Sequence, residues 1–139
     1  MINAHAQTKQ IEATRLQNEI QIQINDLRKI NSALANARTV LLNDAERCKN
    51  SNFSKQRWFI DRNSASQDII NQGSGLRYIF GQATQNGIYD FADKYHSIRA
   101  ICKIDSIKVD VILRTLSTNI ENSMGEKILS GENQLKNLG

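Results

Sequence analysis

Apolar residues recur every three or four positions through the first fifty residues of the chain. With Ala13, Ile20, Leu27, Leu34, Leu41 and Cys48 at position a, Leu16, Ile30 and Ala37 fall at position d. The heptad frame holds for about five repeats. Neither glycine nor proline occurs before residue 73. The pattern predicts one helix over 4–49, with Asn3 at its cap. Such a stripe is too narrow to make a core alone and has to be buried against another helix. Ile24, at an e position, widens it, which suits a bundle of three or more helices better than a two-stranded coil. Gln23 and Asp44 place polar side chains at d. Gln17, Asn18, Gln21, Asn25, Lys29, Ser32 and Asn36 form a mostly uncharged outer surface.

The helical period returns over about 93–130, through Ile98, Ile101, Val109, Ile112, Leu116, Ile120, Met124 and Ile128. Ser130-Gly131 is expected to end that helix. The middle segment, about 50–92, opens on a break at Asn50-Ser51-Asn52. Ser64-Ala65-Ser66-Gln67 fits a capping box and predicts a helix start near Ala65. The glycine-bearing stretch 73–91 reads two ways. Ile69, Gly73, Leu76, Phe80, Ala83, Gly87 and Phe91 are spaced as one helix face, while 76–80 and 88–91 are spaced as a hairpin.

The expected architecture is all-α and a single domain over 1–139. It is an elongated antiparallel helical hairpin or small bundle, built from long N- and C-terminal helices with a shorter middle segment. Its helix-partner face comprises Leu16, Ile20, Leu27, Ile30, Leu34, Leu41, Val109, Ile112, Leu116 and Ile120.

Composition changes the picture in two respects. Asparagine (15) and glutamine (11) are abundant, and isoleucine (18) outnumbers leucine (11). Asn is a mediocre helix former and Ile is β-branched, so packing has to hold the helices together. No apolar run approaches the ~20 residues of a membrane span, and the N-terminus has no basic-then-apolar signal pattern. The chain is therefore expected in the cytoplasm, or exported by a route without a Sec signal peptide. Cys48 and Cys102 are compatible with two buried thiols or with a disulfide tying two helices.

Chemistry-bearing residues are few. His5 and His96 are the only histidines. On one helix His96 and Cys102 would sit about 9 Å apart along the axis, beyond hydrogen-bond reach. Asp93 stands three residues before His96, but no second histidine joins them, and Gly73-Ser74-Gly75 lacks the phosphate-loop order. No catalytic residue, cofactor or metal is expected. The best patch is Arg47, Lys49, Lys55, Arg57 and Arg62, interleaved with Phe53, Trp58 and Phe59. Across 47–62 five basic residues face one acid, Asp61, a local excess of +4. Its readings are an aromatic cap on the bundle with solvated cations, a contact for a partner protein, or an anion-binding surface for nucleic acid or membrane.

The leading expectation is a non-enzymatic protein–protein interaction or assembly component that associates with a partner or with itself. The alternatives are a nucleic-acid-binding accessory protein using 47–62 and an inhibitor or immunity-type binding protein. Two end helices bracketing a middle segment is a layout similar to that of export-apparatus filament and tip proteins, small secretion substrates and their chaperones. The Trp-x-Gly turn of paired-helix secretion substrates is absent, because Phe59 and Ile60 follow Trp58. The Asn, Ile and Lys usage looks like that of an AT-rich bacterial or phage genome.

Overall fold

The computed structural model describes residues 4–49, 55–74, 76–98 and 105–138. They form five helical segments: α1 (Ala4–Lys49), α2 (Lys55–Gly73), the short α3 (Leu76–Phe80), α4 (Gln82–His96) and α5 (Ser106–Leu138). No strand occurs among the described residues. Among the described residues the stretch 73–91 is therefore helical apart from Ser74 and Gly81, and not a hairpin.

Pairwise contacts give the topology. Arg47 of α1 reaches Asp61 of α2. A Cβ at Gly73 of α2 would lie 2.7 Å from Ile88 Cγ2 of α4, and Arg62 of α2 donates to the Ile98 carbonyl just beyond α4. Thr84 and Ser123 hydroxyls join α4 to α5 at 2.6 Å. Arg38 of α1 meets Asp110 of α5, and Ile20 meets Gly131. Along α2–α4, α1–α5 and α4–α5, where Gly87 also faces Ile120, the residue numbers run in opposite directions, so α2 is antiparallel to α1 as well. The long helices thus pack up-down-up-down, α1–α2–α4–α5, with α5 closing the ring on α1.

The helices differ in length. At 1.5 Å per residue, the 46 residues of α1 extend about 69 Å and the 33 of α5 about 50 Å. The 19 residues of α2 and 15 of α4 cover much less. The four-helix layer therefore surrounds only part of α1, and the first turns of α1 lie exposed. The core is one apolar cluster. Ile30, Leu34, Ala37 and Leu41 of α1 meet Trp58 and Ile69 of α2, Ile88, Phe91 and Tyr95 of α4, and Leu113, Ile120 and Met124 of α5.

Three boundaries depart from the sequence pattern. First, α2 begins at Lys55, and Ser64–Gln67 lies inside it. Trp58, Arg62, Ala65 and Ile69 are all buried at steps of four and three, so packing carries the helix through the capping-box sequence. Second, the expected helix over 93–130 is two helices. Ser97 ends α4, its N–H donating to Asp93 O and its hydroxyl to Lys94 O. Asp105 starts α5 by accepting at Oδ1 from the Ile107 and Lys108 N–H groups. Third, α5 continues through Ser130-Gly131 to Leu138, because the bare Gly131 lets Ile20 of α1 approach closely. Ile101 and Cys102 lie outside the described residues.

Gly81 is the one described glycine at positive φ, 92°. It lets the chain turn between α3 and α4 with a single linking residue, in a region that L side chains rarely adopt.

Candidate functional site

The heptad face of α1 is buried inside the chain. Leu16, Ile30, Leu34 and Leu41 are buried, and Ile20 and Leu27 pack against the core half-buried. On α5, Ile120 is buried and Val109 and Leu116 are half-buried. Ile112 departs from this face: it is 42% exposed, while Leu113 beside it is fully buried. Consecutive helical residues point about 100° apart. Because α5 must face α1 and α4 together, its inward line runs through Leu113, Ser117, Ile120, Met124 and Ile128.

The basic segment does not form one cationic surface. Arg62 is buried (2% exposed), donates to the Ile98 carbonyl, and stacks 4.7 Å from the Trp58 ring centroid and 5.7 Å from that of Phe59. Trp58 is buried with it. Arg47 pairs with Asp44 at 3.1 Å and with Asp61 at 3.9 Å, and Arg57 reaches the same Asp61 at 3.7 Å. Lys49 pairs with Glu46 at 3.9 Å. Lys55 opens α2, with its side chain outside the described set. Acids on neighbouring turns and the opposite helix thus pair with Arg47, Lys49 and Arg57.

Asp44, a polar d position, is 1% exposed. Its Oδ1 accepts from Arg47, while its buried Oδ2 has no hydrogen-bond partner. Burial pushes its carboxyl above the ordinary carboxylate range, with the Arg47 cation opposing the shift. The Tyr95 hydroxyl is buried without a partner, and burial together with the Asp44 charge pushes this phenol up. Cys48 is disulfide-bonded and so is not a free thiol, while Cys102 lies outside the described residues.

Among the described residues no three His, Cys, Asp or Glu side chains gather as a metal site, and no helix is long and apolar enough to cross a membrane.

A groove of about 440 Å³ runs between α2 and α4, lined by Asn63, Ser66, Gln67, Ile70, Ala92, Asp93 and His96. Its α2 residues recur at i, i+3, i+4 and i+7, a helical stripe of three polar residues and Ile70 that the sequence displays but that acquires a facing wall only when α4 docks antiparallel. On α5, Ile107 and Val111 stand 73% and 57% exposed one turn apart. Comparison with protein-family models, with curated proteins and with solved structures finds no match for this chain.

Proposed function

We propose that this chain is a non-enzymatic helical binding protein, a component of bacterial or phage secretion or assembly that holds a protein partner on its outer surface. One observation carries the reading: apolar side chains remain outside after the long stripes have been buried. Ile107 and Val111 lie on the outer side of α5. The antiparallel register that pairs Arg38 with Asp110 brings the partly exposed Leu42 of α1 to the same level. Covering such side chains stabilises a complex by roughly 25 cal/mol per Å² of apolar area removed from water. The heptad stripe of α1 is a poor alternative interface, because reaching it requires opening the bundle.

The test is site-specific photo-crosslinking in the cell that makes the protein, with a photoreactive residue at position 111 or, as control, at the exposed Lys29 of α1. A discrete adduct from 111 and none from 29 supports the reading, and its mass distinguishes a second copy from another protein. No discrete adduct at 111, or equal adducts at both positions, overturns it.

A further inference from the structure

We infer that α5 pairs antiparallel with α5 of a second copy of this chain, along a line through Ile107, Val111, Thr118, Gly125 and Leu129. The inference rests on the reading of the outer α5 surface above and names its partner. At about 100° per residue, these five positions fall within about 20° of one line on the helix. Ile107, Val111 and Leu129 are exposed large apolar residues, Thr118 is exposed, and a Cβ at Gly125 would meet nothing within 4 Å. The line is symmetric about its middle. Ile107 and Leu129 lie eleven residues to either side of Thr118, and Val111 and Gly125 lie seven. A two-fold axis at Thr118 therefore sets Ile107 against Leu129 of the second copy. It sets Val111 against the bare Gly125, large against small.

Charge selects both the partner and the direction. Arg114 and Glu121 flank the line on one side, and Lys108 and Glu126 on the other, all four exposed. In an antiparallel pair like flanks meet. Arg114 then comes within about 1.5 Å, along the axis, of Glu121 of the second copy, and Lys108 within about 3 Å of Glu126 of the second copy. The two-fold axis repeats each contact, so four opposite-charge pairs frame the apolar line. A parallel pair would set each of these charges against its own equivalent. Among the described residues, Lys108, Glu121 and Glu126 form no ion pair, and Arg114 shares Asp110 with the closer Arg38. A face of one sign would suit nucleic acid or an anionic membrane. This face carries both signs in an order that matches its own reverse.

The experiment is sedimentation of the full chain over about 5–500 µM, with circular dichroism of each variant. A concentration-dependent dimer is expected, since one helix pair is a small interface. Val111→Asp should abolish it with helicity unchanged, because the new charge would be desolvated in the pair. Glu126→Lys should weaken it by about 5-fold or more, and combining that change with Lys108→Glu should restore it to within about 2-fold. A monomer throughout the range, a dimer indifferent to Val111→Asp, or no rescue by the double exchange would each overturn the inference. A monomeric chain that still gives an adduct with another protein from position 111 in the cell overturns this pairing and leaves the binding role standing. A monomer without an adduct overturns both.

Discussion

Arg38 and Asp110, 72 residues apart in sequence, form a two-pronged ion pair across α1 and α5, with Nε 2.9 Å from Oδ1 and an Nη 3.2 Å from Oδ2. Both side chains are largely shielded, and Arg114 reaches the same carboxylate at 3.4 Å. The fork geometry fixes the long helices in one register, since a shift by one residue would carry the partners about 1.5 Å apart along the axis. Arg38→Ala is expected to cost about 1–3 kcal/mol, because it leaves a part-buried carboxylate short of donors. Arg114→Ala, at a more exposed position, should cost under about 1 kcal/mol. Urea denaturation of both variants checks the order; equal losses would remove the register argument.

The buried carboxyl of Asp44 makes stability depend on pH. Its folded pKa is raised, so the folded chain keeps this proton to higher pH than the unfolded chain does. The associated stability is present below the ordinary carboxylate value of about 4 and is lost as pH rises through the raised folded value. Asp44→Asn keeps an acceptor for Arg47 and removes the charge. Arg47 is partly solvated, so weakening its pair costs less than relieving the buried charge gains. The expected result is a higher urea midpoint at pH 7 and a flatter pH profile from about pH 4 upward. A lower midpoint at pH 7 would show that the pair with Arg47 dominates.

Three glycines should respond to alanine in three ways. At Gly73 the added Cβ would sit 2.7 Å from Ile88 Cγ2, so α2 and α4 must move apart and the loss should be about 1–3 kcal/mol. At Gly81 nothing lies within 4 Å, and the loss of about 1–2 kcal/mol is purely conformational. At Gly125, within α5 and also clear of neighbours, alanine should stabilise by about 0.5–1 kcal/mol. Thermal denaturation of the set checks the signs.

Leu34, 1% exposed at the centre of the α1 stripe, should cost about 2–5 kcal/mol when cut to alanine. Leu27→Asp should unfold the chain instead of merely separating copies of it, since Leu27 packs against the chain's own core. Circular dichroism separates these outcomes: retained helicity with a changed mass would relocate the partner of this stripe to another chain.

Reductant should lower stability by about 2–4 kcal/mol through the bond at Cys48, and Cys48→Ser should reproduce that loss and abolish the sensitivity. An unchanged urea midpoint under reductant would mean that the linkage contributes nothing in solution.

Much of α1 is legible in the amino-acid sequence, because its information is local. An unbroken heptad without glycine or proline specifies a helix, and Leu16, Ile30, Leu34, Ala37 and Leu41 lie on the side that packing buries. Even Gln23 and Asp44, polar residues at d, are buried as the frame requires. Of the aromatic cap read for Trp58 and Phe59, Trp58 is buried while Phe59 is 51% exposed. What the linear pattern does not convey is direction and pairing. A helix's inward side is set by the neighbours it touches at once, and contact with both α1 and α4 turns Leu113 in and Ile112 out. The break between α4 and α5 rests on Ser97 and Asp105 taking up backbone groups, in a stretch without a glycine or proline to mark it. Likewise Asp61 meets Arg47, and Asn63 and Asp93 come to line one groove, only after α2 has folded back antiparallel. Periodicity within one helix therefore specified which residues are apolar and helical. Contacts between helices, whose energies depend on distances the sequence does not contain, decided which charges are neutralised and which acceptors remain open.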